Sequence, residues 1–386
     1  MQHVTVNDDP VVIIGASSAG LFAAQLLAES RVPVHVFERA EELQPHARTL
    51  IVTPELQHVL GASAAGATVN TVHTLDLCTR TKTVPIALGD PDLVIERANL
   101  VRILSTRAQA AGAVLHLGHD FVDINTERDR TTVEFRRKSH GNNVHVPART
   151  IIAADGAFSH VASALGLPRR PTVTVMQARV VRPRVDDEHV GKVWFLPNQT
   201  RYFYWLCPES DDIAAVGIVD DNPREARRKL DGFLAEQKMR PLEYQGAYIP
   251  LYRTNPRPWR RVGRSDVLFI GDAAAQVKVT TIGGTVTGLW GARAAAQSIL
   301  RGSSYLSELR SLNRELQLHW LVRGIMHHFF EHEYDALLQL LGGRVGDLFA
   351  IHNRDRMAGA FWPMLTMQPR LPLLAAQVLW RAGFGS

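Results

Sequence analysis

An α/β fold is predicted for this chain: a Rossmann-like parallel-sheet domain built from discontinuous segments, an antiparallel β-sheet domain and a C-terminal helical region. Three observations predict it. Residues 10–39 read strand, Gly-rich turn, helix, strand; residues 171–254 alternate like strands between Pro and Asp/Asn turns; and DVLFIGDAAA at 266–275 returns to an apolar strand running into a Gly/Ala-rich segment. The size agrees with this division, since 386 residues make two or three domains at roughly 100–200 residues each.

In the first unit, Val11–Ile14 is a short apolar, β-branched run, Leu21–Ser30 is rich in Ala and Leu, and Val34–Phe37 is a second apolar run ending at Glu38. ANLVRILSTRAQAAG at 98–112 predicts an amphipathic helix closed by Gly112. Residues 131–154 predict a polar hairpin and then an apolar strand that stops at Asp155-Gly156. A helix is expected over Thr285–Leu300, and from 305 onward the chain reads as helical, with breaks at Pro363, Pro369 and Pro372. GASAAG at 61–66 echoes GASSAG at 15–20 but follows helical LQHVL, and is read as a loop. The expected domains are therefore 8–75, 98–170 and 255–304 for the nucleotide-binding unit, 76–97 and 171–254 for a substrate-binding sheet, and 305–386 for the helical region.

Composition excludes several classes of function. With 46% hydrophobic residues and a formal net charge of only +5, the chain is not globally disordered. No apolar run approaches the ~20 residues that span a bilayer, and MQHVTVNDDP has no basic segment followed by an apolar one, so no signal peptide is expected. Two cysteines, Cys78 and Cys207, fit a reducing compartment. A cytoplasmic location follows, with peripheral contact to a membrane. The pI near 9.4 suits an anionic ligand or surface, but the arginines are dispersed, so no nucleic-acid partner is expected.

The chemistry begins at Gly15-Ala16-Ser17-Ser18-Ala19-Gly20, with Glu38 eighteen residues further on. Gly15 makes the tight turn, Ser17 lets a pyrophosphate approach the backbone, and Gly20 allows close packing of helix on strand. The helix N-terminus then faces the phosphates, and the Glu38 carboxylate accepts from ribose hydroxyls. Ser17 stands where the fingerprint has its middle glycine. Far along the chain, Gly271-Asp272 ends an apolar strand, where an acid either caps the segment that follows or, together with the first signal, binds a ribityl chain. The turn Gly283-Gly284 then starts a helix. Its dipole would stabilise negative charge on a reduced flavin by ~0.3–2 kcal/mol.

GASSAG…ER, Asp155-Gly156-Ala157-Phe158-Ser159 and Gly271-Asp272, in this order, resemble the FAD-dependent family that includes para-hydroxybenzoate hydroxylase and the geranylgeranyl reductases. GDAAAQVKVTTIGGTVTGLWGARAAA and Phe203-Tyr204-Trp205-Leu206-Cys207-Pro208 look closest to the reductase branch. The latter is similar to that branch's Y-x-W-x-F-P substrate-cavity motif and departs from it at Phe203 and Cys207. The resemblance implies FAD as cofactor. Ala19, Glu38 and Arg39 would hold the adenosine half, with Arg97 and the Val122 backbone as further contacts, and Asp272, Gly284 and Thr285 would face the ribityl chain and ring. Arg48-Thr49 fall where the reductases carry a Cys-containing stretch, and ARTLIVTPELQHVLG here looks more like the hydroxylases. Asp155 would touch both FAD and an incoming nicotinamide. Ala162 stands where the hydroxylases continue with Arg, and there is no second Gly-rich fingerprint. The electron donor is thus NAD(P)H bound transiently or another reductant, including a protein.

Residues 202–207 alternate, placing Phe203, Trp205 and Cys207 on one strand face and Tyr202, Tyr204 and Leu206 on the other. The first face could wall an apolar or lipid substrate pocket; an aromatic-rich sheet core is the alternative reading. His328-Phe329-Phe330-Glu331-His332 matches H-x-x-E-H with both histidines expected on one helix. Zinc needs a third protein ligand, and a polar helix face is the preferred reading, so no metal is expected. No catalytic residue is identified.

The leading expectation is an FAD-dependent oxidoreductase that reduces carbon–carbon double bonds of an isoprenoid or other lipid-like substrate. The runner-up is a single-component flavin monooxygenase acting on an aromatic or polyketide substrate, and a flavin binder without turnover is the third reading. The turn at Ser17 can be tested directly. Ser17→Gly should keep full flavin occupancy, whereas Ser17→Leu should block the backbone approach and leave the purified protein colourless. A fully yellow Leu variant would place the pyrophosphate elsewhere.

Overall fold

The structure, a computed structural model, describes residues 9–127, 130–139, 141–183, 187–254, 257–342, 345–349 and 351–384. The expected domain limits at 8, 255 and 386 lie outside the described residues. The strands of the first half are β1 (Val11–Ile14), β2 (Val34–Phe37), β3 (Thr49–Val52), β4 (Thr68–Cys78), β5 (Thr83–Glu96), β6 (Val114–His116), β7 (His119–Glu127), β8 (Arg130–Arg137), β9 (Asn143–Pro147) and β10 (Thr150–Ala153). Then come β11 (Thr172–Val181), β12 (Val190–Trp194), β13 (Tyr204–Pro208), β14 (Ile213–Asp220), β15 (Arg240–Pro250), β16 (Trp259–Val262) and β17 (Ser265–Phe269). The helices are α1 (Ser18–Glu29), α2 (Glu55–Leu60), α3 (Arg97–Ala110), α4 (His160–Ala164), α5 (Pro223–Glu236) and α6 (Thr285–Arg301). The C-terminal ones are α7 (Tyr305–Glu308), α8 (Arg310–Met326), α9 (Glu331–Leu341), α10 (Gly346–Phe349), α11 (Met357–Met367) and α12 (Arg370–Phe384).

Short β-branched runs build the central sheet in the order β16-β17-β10-β1-β2-β6, parallel except at the β16 edge. Its inner strands are buried on both faces, which is why VVII reads as a continuous apolar run rather than an alternation. Ile13, Val36, Ile152 and Leu268 face α1, α3 and α6. Val12, Ile14, Ile151 and Phe269 face Val133 and Phe135 of a three-stranded sheet, β7-β8-β9. The α/β class is therefore correct, with three layers: helices, parallel sheet, small antiparallel sheet.

The second large sheet has the order β15-β11-β14-β13-β12-β4-β5-β3 and is antiparallel except where β12 runs beside β4. It takes in β3 and the whole of β4, so the limit expected between 75 and 76 falls inside a strand. Thr68–Cys78 is a polar strand paired with β5 and β12, and its place depends on residues far along the chain. The outer face lies under α5, whose Ala226, Leu230, Phe233 and Leu234 cover Tyr204 and Leu206. This helix, started by Asn222 as N-cap and Pro223, was absent from the sequence expectations. The inner face carries Phe203, Val173, Val219 and Ile249.

Two local details differ from expectation. GASAAG is a short 3-10 segment after α2, outside any strand–turn–helix unit. Pro363 lies within α11 and Pro372 within the first turn of α12, so neither breaks a helix.

Across β13 and β14, Trp205 pairs with Gly217, and a Cβ built on Gly217 would lie 2.2 Å from Trp205 Cζ2. The indole lies flat over the glycine, and that is what Gly217 is for. Gly217→Val should cost ~1–3 kcal/mol in a denaturant titration, as overpacking does. The cost should fall when Trp205 is also alanine, a coupling that additivity would not give.

Candidate functional site

The C-terminal edge of the parallel sheet is where the chain departs in opposite directions from β1 and β10, and open α/β sheets bind ligands at such a place. Gly15 has φ +100°, and a Cβ on it would lie 2.6 Å from the Ala154 carbonyl oxygen. A Cβ on Gly20 would lie 2.3 Å from the Gly15 carbonyl oxygen. Ser17 has φ −73° and caps α1, its hydroxyl accepting from the Gly20 N–H at 3.2 Å. This position needs no positive φ, so serine is at home there. Ser18 and Ala19 form the first turn of α1.

Glu38 closes the turn from the other side. Its carboxylate accepts from the Ala16 N–H at 2.9 Å and from the Ala40 N–H at 3.0 Å. Arg39 beside it is exposed. Val122 lies at the bulge where β7 shifts register against β8 between Phe121 and Asp123, and such a residue has a backbone left unpaired. Asp155, directly after β10, accepts from the Val161 N–H at 3.1 Å through one oxygen, while the other is buried without a partner.

The second half of the cleft is equally tight. Gly271 has φ +58°, and its missing Cβ would lie 3.2 Å from the Ala19 Cβ. Gly288 of α6 lies next to Gly271, where an added Cβ would be in ordinary van der Waals contact with Gly271 Cα at 3.4 Å. Asp272 thus sits between the N-terminal ends of α1 and α6. Among the described residues no hydrogen bond is donated to its carboxylate, and it keeps partial exposure. Burial raises its pKa, and Arg48 and Arg97 oppose that shift. Burial, then Arg97, hold the Arg48 guanidinium down to about 10, and its Nε is buried without a partner. Glu96 fixes this pair of cations: one oxygen caps α3 at the Ala98 N–H and accepts from the Arg48 N–H, both at 2.9 Å. Thr49 points away, its hydroxyl donating to Glu209 at 2.6 Å.

Gln276 and Tyr305, missed by the sequence reading, hold this acid turn from beneath. The Gln276 side chain accepts from the Gly271 N–H at 2.7 Å and donates to the Tyr305 hydroxyl, which donates to the Phe269 carbonyl at 2.7 Å. Gly291 leaves the room that Gln276 fills. The loop from Gln276 to Gly284 then folds back, with Lys278 bridging Gly283 and Ile282 at φ +53°, a strained setting for a β-branched residue. Gly283, Gly284 and Thr285 remain partly exposed at the start of α6, which has no side-chain cap.

Facing this loop is the aromatic wall. Phe203 packs in one cluster with Val277 and Ile282, and Trp205, partly exposed, lies at its edge, 6.1 Å from Phe203 between ring centroids. Tyr202 joins the same cluster, contrary to the alternation expected, because β13 begins only at Tyr204. Cys207 is buried with Val72, Leu75, Val94 and Ala215, and burial pushes its thiol up to about 12, so it is protonated at neutral pH. His328 lies in the turn between α8 and α9, off the helix that carries His332, so the two do not share a helix face; His332 pairs with Glu333 at 2.9 Å.

A family model described as FAD binding domain matches residues 8–300. The chain belongs to this FAD binding domain family. FAD is the cofactor of the flavoprotein, and the cleft fits it. Arg48 Nε, Asp155 Oδ1 and Thr281 Oγ1 are buried polar atoms without partners around a crevice whose glycines leave no room for side chains. A digeranylgeranylglycerophospholipid reductase of Methanosphaera stadtmanae is 23% identical over 91% of this chain and 92% of its own. The structure of a geranylgeranyl bacteriochlorophyll reductase-like protein from Thermoplasma acidophilum superposes with TM-score 0.76 at 18% identity, covering 94% of this chain and 98% of that one. That of p-nitrophenol 4-monooxygenase from Pseudomonas putida superposes with TM-score 0.63 at 14% identity, covering 96% of each.

The double use of Glu38 shapes its expected variant. Glu38→Ala should weaken FAD binding by ~1–3 kcal/mol, as the loss of bonds to a charged acceptor does. It should also lower the melting temperature of the flavin-free protein, because Ala16 and Ala40 lose their acceptor. Unchanged affinity in a flavin titration would remove Glu38 from the site.

Proposed function

We propose that the protein is an FAD-dependent reductase that saturates carbon–carbon double bonds of an isoprenoid or other lipid-like substrate. The observation that carries this reading is the apolar wall of Phe203 and Trp205 opposite Val277 and Ile282, against the loop that leads into α6. The similarity to digeranylgeranylglycerophospholipid reductases over most of both chains supports it.

Glu38, with the turn Gly15–Gly20 and the Val122 backbone, would hold the adenosine half of FAD. Arg48, Arg97 and Asp155 would lie along its middle, and Asp272, Gly283, Gly284 and Thr285 would hold the ribityl chain and ring. When bound, FAD supplies hydride from its reduced ring. The chain's own contribution is placement and dryness: Trp205 and Phe203 exclude water and align an apolar chain, while the uncapped N–H groups of α6 face developing negative charge. Cys207, protonated and packed in the sheet, contributes volume. NAD(P)H or another reductant, including a protein, would reload the flavin.

Peripheral contact with a membrane belongs to the same proposal. No helix among the described residues is long and apolar enough to cross a membrane. Trp362 of α11 and Leu373 of α12 are 71% and 61% exposed, and no acidic residue follows Asp355 in the sequence.

The expected outcome of the decisive experiment is as follows. Dithionite-reduced protein mixed anaerobically with a polyprenyl lipid should reoxidise and yield a product heavier by the mass of two hydrogens per reduced double bond. Trp205→Ala should slow that step by up to ~100-fold through misplacement of the reacting atoms. Reduced flavin that persists with every prenyl lipid tried, together with substrate-dependent oxygen uptake and a product gaining one oxygen atom, would establish the monooxygenase instead.

A further inference from the structure

Four consecutive residues of the C-terminal region, Asn353-Arg354-Asp355-Arg356, each make a polar contact with a part of the fold more than 260 residues away in sequence. Asn353 and Arg356 hold Glu55 of α2, the latter at 2.5 Å. Arg354 pairs with Asp92 of β5, and Asp355 pairs with Lys278 and accepts from the Thr53 hydroxyl. Asp355 is 1% exposed and Lys278 6%. Burial alone would raise the Asp355 carboxyl, but Lys278, Thr53 and Arg354 hold it below the ordinary carboxylate range.

Buried ion pairs are costly to desolvate and rarely stabilise a fold more than apolar residues of the same volume would. This one is placed where its charge has a use. Lys278 bridges Gly283 through its backbone, and a Cβ built on Gly283 would lie 3.5 Å from Lys278 Nζ. The ammonium therefore rests on the turn that opens α6, beside N–H groups that no side chain caps. His319, neighbouring the same loop through Thr280 at 2.5 Å, is held neutral by burial and then by the Lys278 charge, its pKa down to about 3. Two cations meet at this corner: buried Arg323 donates to the Val279 and Thr280 carbonyls on one side of the loop, and Lys278, with Asp355 as its counter-charge, lies on the side of Gly283.

We propose that the Lys278–Asp355 pair sets the electrostatic potential at the N-terminal end of α6 and so tunes the reduction potential of the bound flavin, which makes the segment 353–356 part of the redox site. The inference rests on the placement of the flavin ring at Gly283–Thr285. Uptake of two electrons and one proton leaves the ring one negative charge richer. A positive charge at this turn favours that state, and the carboxylate behind it moderates the effect. Lys278 and Asp355 act here as positioning residues for charge and touch no reacting atom.

The test is an anaerobic, dye-coupled reductive titration of the FAD-loaded protein. Lys278→Met should lower the flavin potential and Asp355→Asn should raise it. Each shift should be about tenfold in the reduced-to-oxidised ratio at fixed solution potential, or ~30 mV for a two-electron couple. Lys278→Arg should restore the wild-type value. Glu55→Gln, which loosens the same segment without touching the pair, should lower the melting temperature and leave the potential in place. Should a single variant fail to fold, Lys278→Met combined with Asp355→Leu removes both charges without orphaning either, and its potential should lie below the wild-type value, because the ammonium lies nearer the turn than the carboxylate behind it; an unchanged potential would overturn the proposal. Shifts of the same sign in both single variants, or none in a protein that holds FAD normally, would overturn the proposal. Wild-type protein that takes up no FAD would instead overturn the flavin site on which it rests.

Discussion

Three backbones meet at the C-terminal edge of the parallel sheet with no space for side chains between them. Gly15 lies against the Ala154 carbonyl, Gly20 against Gly15, and Gly271 against Ala19. A methyl group at Gly15 or Gly20 would approach a carbonyl oxygen at 2.6 Å or less, closer than real Cβ atoms come. This contact brings the N-terminal ends of α1 and α6 close together. The acid Asp272 sits between two helix starts because the glycines let them converge. The cations Arg48 and Arg97 then answer its charge from the residue before β3 and from the start of α3, which Glu96 ties together.

Close backbone approach also explains what the sequence could and could not disclose. A glycine forced by local geometry leaves its mark in a few consecutive letters, so GASSAG, Glu38 and Gly271-Asp272 were legible. So were the parallel strands, whose burial on both faces makes them apolar throughout. The partners of Asp272 were legible only through a family resemblance, since nothing in ERANL or ARTL alone says that the two arginines meet. Gln276 and Tyr305 left no signal: one glutamine and one tyrosine, 29 residues apart, become a unit only when α6 packs between them. Gly291 was the available clue, a glycine inside an Ala-rich helix with no turn to justify it.

The same reasoning accounts for the misplaced boundary at the second sheet. β4 alternates weakly and is polar, and its pairing with β12 spans more than a hundred residues. Edge and inner strands of a mixed sheet differ in their neighbours, which local pattern does not encode. Tyr202 was assigned to the wrong face because alternation was extended two residues before the strand begins. His328 was placed on a helix for a similar reason: apolar flanks on both sides hide the turn between α8 and α9.

The segment 353–356 lies at the far end of this scale, because its partners at 53, 55, 92 and 278 come from three separate regions of the chain. Its charges gain little from burial itself, since a buried ion pair is often no more stabilising than apolar residues of like volume. Registry is one use for them: four directional contacts fix where the C-terminal helices lie against the sheet. Registry alone, however, would be served by the Glu55 and Asp92 pairs, which tie the segment to α2 and β5. The remaining pair reaches into the loop before α6, where the backbone is already strained at Ile282 and the helix start is left uncapped. A fold that spends backbone strain and buried charge at one turn concentrates both where an electron-accepting ring would need an organised electrostatic environment. Phe203, Val277 and Ile282 pack beside that turn, and such apolar surroundings weaken screening and make each fixed charge count for more.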